Sequence, residues 1–278
     1  MLAFIHIRKT AGSTIDMVFR QSFGMGHCCV RHHRARAAAP VITAAELDRC
    51  RWIYRRMKTV SGHGIVPYSD LHLADPEIRF FTFLRDPIAR CASDYQFRVQ
   101  RGGMQMPFER WITTDIARNQ QTKKLAAVED AAAAIASVDS SISFVGLVER
   151  FNASLVLFRK WSQIPQLDIR YRSKNVAKDV SIKDRLLNGP DTREMLIEAN
   201  QEDQKLYDYV TEEVYPRQVQ AYGESLAADV QLFEATNAPL PVYPRQLMSM
   251  LLRELVYKPL VPVIHDKTNP PPQGQRAA

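Results

Sequence analysis

The chain has no long apolar run and few cysteines. No stretch reaches the roughly 18 consecutive apolar residues of a membrane helix, and Arg8 and Lys9 interrupt the apolar start in a way that is unlike a secretory signal peptide. The four cysteines form no disulfide-rich pattern and no C-x-x-C pair. The adjacent Cys28 and Cys29 cannot easily both face one tetrahedral ion, even with histidines nearby. We therefore expect a cytoplasmic protein without a membrane span and without a bound metal.

Acidic residues are also in deficit. The 278 residues include 37 Lys and Arg against 30 Asp and Glu, a formal charge of +7, and 46% are hydrophobic. This composition is typical of a globular protein, and the basic surplus favours polyanionic partners such as nucleotides or acidic sugars. Aromatic and basic residues do not interleave as they do on an RNA-binding sheet, so we expect no nucleic-acid partner.

The most informative segment lies near the start of the chain. An apolar strand predicted over residues 4–7 runs into a short loop, and an amphipathic helix is predicted over 13–23. Backbone N–H groups and the positive end of the helix dipole converge at such a junction, which suits it to bind an anion. The loop adds two cations, one glycine and three hydroxyl groups to this junction. Its residues are Arg8, Lys9, Thr10, Ala11, Gly12, Ser13 and Thr14.

This loop is not a Walker A motif. That motif opens with a glycine and places a second glycine immediately before its lysine. Here no glycine opens the loop, and Lys9 precedes the only glycine, Gly12. A nucleoside triphosphate held with magnesium is therefore disfavoured, whereas a phosphate or phosphosulfate group remains the expected ligand.

A second strand, loop and helix follow the same plan. The aromatic run at 79–84 predicts a buried strand, and a helical pattern begins after Arg85. Asp86 is suited to the N-cap and Pro87 to the first helical position. Ser93 comes eight residues after Arg85, about two helical turns along. A guanidinium can bind phosphate through two parallel hydrogen bonds, so Arg85 is a candidate phosphate ligand.

Together the two segments resemble the nucleotide-binding loops of sulfotransferases that use 3′-phosphoadenosine 5′-phosphosulfate (PAPS) as donor. The chain is most similar to the carbohydrate type, which includes heparan sulfate 2-O-sulfotransferase and its bacterial relatives. In that family the first loop binds the 5′-phosphosulfate, and an arginine with a serine eight residues later binds the 3′-phosphate. The resemblance implies these roles for residues 8–14 and for Arg85 with Ser93. It spans about residues 1–222, with less specific matches at 119–125, 144–150 and 203–207.

Sulfuryl transfer needs an acceptor oxygen in line with the leaving phosphate and a positive charge at the leaving oxygen. Lys9 is the predicted source of that charge, because an ammonium is a mobile point charge. His63 is the predicted general base, since histidine titrates near neutrality and its two flanking glycines allow close approach. The uronyl 2-O-sulfotransferases, which the chain resembles, also have a catalytic histidine in a comparable stretch. An aspartate or glutamate base remains an open alternative.

A basic run near residue 170 adds two weaker candidates, Arg172 and Lys174. These side chains either close over the donor's 3′-phosphate or adenine, contact an acidic sugar, or belong to the solvated surface. The predicted function is transfer of a sulfuryl group from PAPS to a hydroxyl of a carbohydrate or glycoconjugate. The alternatives are a small-molecule or protein-tyrosine acceptor, a nucleotide-binding relative without transferase activity, and a P-loop kinase. The sequence identifies neither the acceptor nor the oligomeric state.

Strands separated by helices predict an α/β fold with a central parallel sheet flanked by helices. The resemblance implies the P-loop-NTPase-like fold of sulfotransferases. We expect one sulfotransferase domain over residues 1–238 and a proline-rich, partly helical extension over 239–278. Strands are predicted at 4–7, 59–62, 79–84, 143–148 and 167–171; helices are predicted at 13–23, 43–57, 87–101, within 108–138, at 153–162 and within 191–228, and a further one is possible at 248–257.

Overall fold

Five parallel strands form one sheet, in the order β2-β3-β1-β4-β5. The structure is a computed structural model that describes residues 1–30, 41–172, 179–238 and 244–264. Its strands are β1 (Leu2–Ile5), β2 (His27–Cys29), β3 (Thr59–Gly62), β4 (Arg79–Leu84) and β5 (Ile142–Leu147). Helices flank the sheet, because parallel strands must be joined by crossover connections. The predicted α/β class with a central parallel sheet is confirmed.

Fourteen helices surround this sheet in the described part of the chain. The first seven are α1 (Gly12–Phe23), α2 (Ala44–Ile53), α3 (Pro87–Gln100), α4 (Phe108–Trp111), α5 (Gln120–Ala126), α6 (Ala131–Ser141) and α7 (Phe151–Ser162). The others are α8 (Ser181–Asn188), α9 (Pro190–Ala199), α10 (Gln201–Tyr209), α11 (Tyr215–Tyr222), α12 (Leu226–Thr236), α13 (Pro244–Leu251) and α14 (Lys258–Ile264). Wider π-helical turns join α10 to α11 and α13 to α14.

The strands form because they are short apolar runs that helices cover. Every residue of β1 is buried, as are five of the six residues of β4. At the centre of the core, the Phe81 ring lies 5.0 Å from that of Phe4 and 4.5 Å from that of Phe158, between ring centroids. These contacts join β1, β4 and α7 into one apolar unit.

The register of the sheet brings three strand ends together. Ile5 of β1 pairs with Gly62 of β3 on one side and with Thr82 of β4 on the other. Because all three strands are parallel, the segments that follow them leave the sheet side by side at its carboxyl edge. The register therefore places the loop after β1, the residues after β3 and the loop after β4 at one place.

The predicted strand at 167–171 is wrong. These residues bond to side chains of α1 and to none of the five strands. The Gln21 amide donates to the carbonyl oxygen of Asp168 at 3.1 Å and also to that of Arg170, and the Ser22 hydroxyl accepts from the N–H of Asp168 at 2.9 Å. The apolar alternation at Leu167 and Ile169 reflects burial against the core, which the sequence pattern does not distinguish from strand pairing.

Other boundaries also differ from the predicted ones. The first strand lies at Leu2–Ile5 rather than 4–7, because the apolar run continues past the point where the chain leaves the sheet. The edge strand His27–Cys29 was not among the predicted strands. This strand consists of one histidine and two cysteines. So short a segment carries too weak a signal for a strand to be predicted there.

The described C-terminal segment, residues 244–264, lies against the body of the protein. Tyr257, Val261 and Ile264 belong to the main hydrophobic core, and the Arg49 guanidinium donates to the carbonyl oxygen of Ile264 at 2.6 Å. The predicted domain boundary between 238 and 239 stays a prediction.

Candidate functional site

The loop between β1 and α1 leaves the sheet in a strained backbone conformation. Lys9 and Ala11 have positive φ angles of 68° and 61°, which cost of order 1–3 kcal/mol for a non-glycine residue and often mark functional sites. Helix α1 begins at Gly12, and its first backbone bonds run from the N–H groups of Thr14 and Ile15 to the carbonyl oxygen of Ala11. The positive end of the helix dipole thus lies at the carboxyl edge of the sheet, where it favours an anion.

Gly12 is required by a histidine that lies against it. A β-carbon at position 12 would stand 1.9 Å from Nε2 of His6. The His6 ring cannot easily move, because it stacks on the His63 ring at 4.3 Å and on the Phe4 ring at 5.5 Å. Burial, followed by the neighbouring His63, lowers the pKa of His6 to about 3, so this imidazole is neutral at physiological pH. His6 therefore supports both the loop at Gly12 and the ring of His63.

The Gly12→Ala variant is expected to lose about 1–3 kcal/mol of unfolding free energy, the usual cost of overpacking a filled site. Denaturant titration measures this loss. The double variant His6→Ala/Gly12→Ala tests the cause: removing the imidazole makes room for the methyl group, so the two costs should be clearly less than additive. A Gly12→Ala protein as stable as the wild type would contradict the contact.

Arg85 connects the two predicted phosphate loops. Its guanidinium NH1 donates to the carbonyl oxygen of Lys9 at 3.2 Å. Asp86 caps α3 by accepting from the N–H of Ala89 at 2.7 Å, and Pro87 is the first helical residue, as the sequence predicts. The two strand–loop–helix units therefore meet side by side, and their cations face one cleft.

Gln121 holds the backbone of Arg85 through two hydrogen bonds, a role that the sequence analysis missed. Its amide oxygen accepts from the N–H of Arg85 at 2.9 Å, and its amide nitrogen donates to the carbonyl oxygen of Arg85 at 2.8 Å. The buried carboxylate of Asp203 in turn accepts from the N–H groups of Gln121 and Thr122 at 3.1 and 2.7 Å. Asp203 thus anchors the start of α5, and α5 positions the second loop.

The face of α3 that lines the cleft carries Ser93 and Phe97. The Lys9 ammonium lies 4.6 Å from the centre of the Phe97 ring, and the Arg8 guanidinium lies 5.7 Å from it. Arg8 also pairs with the Asp94 carboxylate at 3.2 Å. An aromatic face and one buried carboxylate therefore orient the two cations of the first loop.

The cleft at this edge has a volume of about 720 Å³. This is within the range of roughly 300–1,000 Å³ that small-molecule sites occupy. Nine of the residues predicted as site residues line it: Arg8, Lys9, Ala11, Gly12, Ser13, Thr14, His63, Arg85 and Ser93. The structure therefore brings together residues that are far apart in the sequence.

Two predicted residues do not line the cleft, and a third lies outside the described residues. The Thr10 side chain is buried, and its hydroxyl donates to the carbonyl oxygen of Ile7 at 3.2 Å, so it supports the fold of the first loop. Arg172 is exposed and does not line the cleft, although its neighbour Tyr171 does. Lys174 lies outside the described residues. The binding roles of Arg172 and Lys174 stay predictions.

His63 presents one ring nitrogen that can accept a proton. Its Nδ1 lies 3.0 Å from the carbonyl oxygen of His6. Because a carbonyl oxygen can only accept, Nδ1 carries the proton, and Nε2 of the neutral ring keeps a lone pair. Part of the ring is open to the cleft, but burial of the rest lowers its pKa, and the cations of Lys124 and Arg8 lower it further against that hydrogen bond. A neutral, proton-accepting His63 is therefore the stable form at neutral pH.

Lys124 is a second neighbour of this histidine that the sequence analysis did not single out as a site residue. It lies on α5, and its ammonium donates to the carbonyl oxygen of His63. Burial lowers the pKa of Lys124 to about 7. The lysine thus holds the backbone of His63, and its protonated form adds positive charge near the ring.

The cleft concentrates cations. Burial lowers the pKa of Lys9, and the positive charges of Arg85 and Arg8 lower it further while Asp94 opposes them. Burial also lowers the pKa of Arg85. These shifts arise first from burial, which removes both cations from water, and for Lys9 also from its cationic neighbours; a bound anion would relieve this cost.

Part of the cleft wall is apolar. Val148, Phe151 and Tyr171 line it, and the last two rings meet edge to face with centroids 5.1 Å apart. The Tyr171 hydroxyl donates to the Asn152 side-chain oxygen at 2.8 Å, which fixes the ring. This wall offers a flat apolar surface beside the cations.

Comparison with models of known protein families gives no match for this chain, and no curated protein matches its sequence. None of the helices in the described part combines the length and the apolar character that crossing a bilayer requires. The described residues also include no group of three or more side chains placed to ligate a metal ion.

Proposed function

We propose that the protein is a PAPS-dependent sulfotransferase with the P-loop-like fold of that family, acting on a hydroxyl of a carbohydrate or glycoconjugate. The observation that carries this proposal is the contact between the two loops, the bond of 3.2 Å from the Arg85 guanidinium to the carbonyl oxygen of Lys9. Two cation sites on neighbouring parallel strands suit a ligand that carries two phosphate groups on one ribose.

The residues present fit such a donor. The first loop and the start of α1 supply an ammonium and hydroxyl groups for the 5′-phosphosulfate, through Lys9, Ser13 and Thr14. Arg85 and Ser93 supply a guanidinium and a hydroxyl for the 3′-phosphate. The apolar wall that includes Phe151 offers a surface for the adenine base.

In the proposed reaction, His63 accepts the proton of the acceptor hydroxyl at Nε2. The acceptor oxygen forms a bond to sulfur, and the bond from sulfur to the bridging phosphate oxygen breaks with its electron pair left on that oxygen. The Lys9 ammonium neutralises the charge that develops there. The products are a sulfate ester and 3′-phosphoadenosine 5′-phosphate, and the step requires no metal ion.

Transfer of label from radiolabelled PAPS in the presence of a chelator tests the proposal. The acceptor panel contains uronate-bearing oligosaccharides, neutral oligosaccharides, small phenols and tyrosine peptides. We expect label in a carbohydrate. Label in a phenol or in tyrosine would keep the chemistry and change the acceptor class. Binding of the donor without transfer would indicate a non-catalytic relative, and magnesium-dependent use of ATP would overturn the proposal.

A further inference from the structure

The chain just after β4 is held by side chains instead of by the sheet. Strand β4 ends at Leu84. Beyond it, the N–H and C=O groups of Arg85 both bond to the side-chain amide of Gln121, and the N–H of Asp86 donates to the carboxylate of Glu149 at 2.9 Å. Three neighbouring backbone groups therefore depend on two side chains for their partners, and so does the direction in which Arg85 leaves the strand.

Both of these side chains are in turn held by one helix, α10. The Tyr207 hydroxyl donates to the other carboxylate oxygen of Glu149 at 2.8 Å, while the Asp203 carboxylate accepts from the first N–H groups of α5, the helix that carries Gln121. Asp203 and Tyr207 are four residues apart, which places them on the same face of α10. We call the four residues Gln121, Glu149, Asp203 and Tyr207 the brace, since through them one helix face holds the second loop by two routes.

The Asp203 end of the brace is buried and firmly anchored. The Asp203 carboxylate is fully buried, and the Arg90 guanidinium lies 3.8 Å from it. The Asn119 side-chain oxygen accepts from the N–H groups of Glu202 and Asp203, each at 3.1 Å, so the starts of α5 and α10 cap each other. Because a buried polar group that loses its partner is costly, α10 cannot easily shift relative to α5.

Tyr207 acts at the other end of the brace as a neutral donor. Burial, together with the Glu149 carboxylate that it bonds, raises the pKa of Tyr207, so its hydroxyl keeps its proton at physiological pH. Glu149 also affects Arg85 by its charge, which opposes the lowering of the pKa of Arg85 by burial. A change at Glu149 would therefore alter both a bond and a charge near Arg85, whereas a change at the Tyr207 hydroxyl alters a bond alone.

We propose that the brace sets the position of Arg85 and thereby the preference of the cleft for a nucleotide that carries a 3′-phosphate. This inference rests on the proposed function, in which Arg85 and Ser93 bind that phosphate. The brace residues are positioning residues, because none of them is among the described residues that line the cleft. A guanidinium that is held in place before the ligand arrives binds more tightly, since less conformational freedom is lost on binding.

Calorimetric titration of Tyr207→Phe with 3′-phosphoadenosine 5′-phosphate and with adenosine 5′-phosphate tests the proposal. The quantity measured is the preference, which is the ratio of the two Kd values. This variant keeps the ring and every charge of the cleft, and its preference should fall about threefold to tenfold, the effect of one ordinary hydrogen bond. The control is Tyr209→Phe on the same helix. It removes a hydroxyl that donates to the Asp139 carboxylate at 2.8 Å and should leave the preference unchanged.

A second variant, Gln121→Met, tests the other route of the brace. It removes both bonds to the backbone of Arg85, so the preference should fall by about tenfold or more. The matched control is Gln218→Met. Gln218 makes the same pair of bonds to Val145 of β5, accepting from its N–H at 3.1 Å and donating to its carbonyl oxygen at 2.8 Å. Loss of these bonds should leave the preference unchanged, because Val145 does not line the cleft.

The preference separates positioning from a general loss of stability, because unfolding lowers the apparent affinity for both nucleotides by the same factor. A wild-type preference that persists undiminished in either Tyr207→Phe or Gln121→Met would overturn the brace and leave the proposed function standing. An equal loss of preference in the two controls would also overturn it. A wild type that binds both nucleotides equally would overturn the proposed function, and this inference with it.

Discussion

The Lys9→Ala variant is expected to lose most of the proposed sulfuryl transfer activity, with kcat lower by about 10²–10³-fold. Loss of one preorganised group that stabilises developing charge has this size of effect in other enzymes. The ammonium of Lys9 is held 4.6 Å from the centre of the Phe97 ring, and its backbone has the strained φ of 68°. Both features fix the charge in the cleft before the substrate binds.

Binding of the product nucleotide should change much less than turnover. Removing one charged hydrogen bond of about 1.5 kcal/mol weakens the Kd for 3′-phosphoadenosine 5′-phosphate about tenfold. Calorimetric titration beside a steady-state assay separates the two quantities. The control is Lys58→Ala, which also removes a lysine above an aromatic ring, 5.9 Å from the centre of Phe23, but outside the cleft. An unchanged kcat in Lys9→Ala would contradict the proposed role.

Lys9 also predicts an alkaline limb in the pH profile. Burial lowers the pKa of this ammonium, with Arg85 and Arg8 adding to the shift and Asp94 opposing it. Its charge is therefore lost at a pH below the usual lysine value of about 10.4. We expect kcat to fall as pH rises through this lowered pKa, and the fall should move to higher pH in Lys9→Arg.

The His63→Ala variant is expected to lose about 10²–10⁴-fold in kcat, the usual contribution of a general base. Nδ1 of His63 donates to the carbonyl oxygen of His6 at 3.0 Å, so Nε2 is the nitrogen that can accept a proton. Affinity for 3′-phosphoadenosine 5′-phosphate should stay near that of the wild type, because the proposed phosphate ligands are untouched. Single-turnover assays and nucleotide titration measure the two effects.

Two further substitutions test whether activity depends on the proton-accepting Nε2 of His63. His63→Asn keeps an N–H donor near the position of Nδ1 but has no base at Nε2, so it should be as inactive as His63→Ala. His72→Ala removes an exposed histidine from a turn outside the cleft and should remain active. If the His63→Asn enzyme were active, the general base would be a carboxylate and not His63.

The pKa of His63 also determines the acid side of the pH profile. Burial, Lys124 and Arg8 lower the pKa of His63, so its neutral form persists below the usual value of about 6.5. Activity should therefore fall only as pH drops through this lowered pKa. The Lys124→Met variant removes a neighbouring cation, which should raise that pKa and move the acid limb to higher pH.

Local features of the chain could be predicted from the sequence. The strands Thr59–Gly62 and Arg79–Leu84 appear with the expected bounds, because each is a compact run with turn residues beside it. The cap at Asp86 and the helix start at Pro87 were also expected. Each of these signals depends on neighbours within a few residues, which the sequence displays directly.

Features that depend on distant partners could not be predicted. Gln121 supports Arg85 only because Asp203, more than 80 residues later, anchors the start of α5. Lys124 donates to the carbonyl oxygen of His63, which lies 61 residues earlier in the chain. The segment at 167–171 is held by side chains of α1 such as Ser22 instead of by a strand. Long-range contacts of this kind leave no periodic pattern in a single sequence.

The most direct test of the account is a calorimetric comparison of 3′-phosphoadenosine 5′-phosphate with adenosine 5′-phosphate. In the wild type we expect the bisphosphate to bind about 10–100-fold more tightly, the effect of about 1.5–3 kcal/mol from bonds to a charged group. In Arg85→Ala most of this preference should be lost, because the 3′-phosphate then keeps only the hydroxyl of Ser93. Equal binding by the wild type, or a preference that survives undiminished in Arg85→Ala, would contradict the assignment of this cleft.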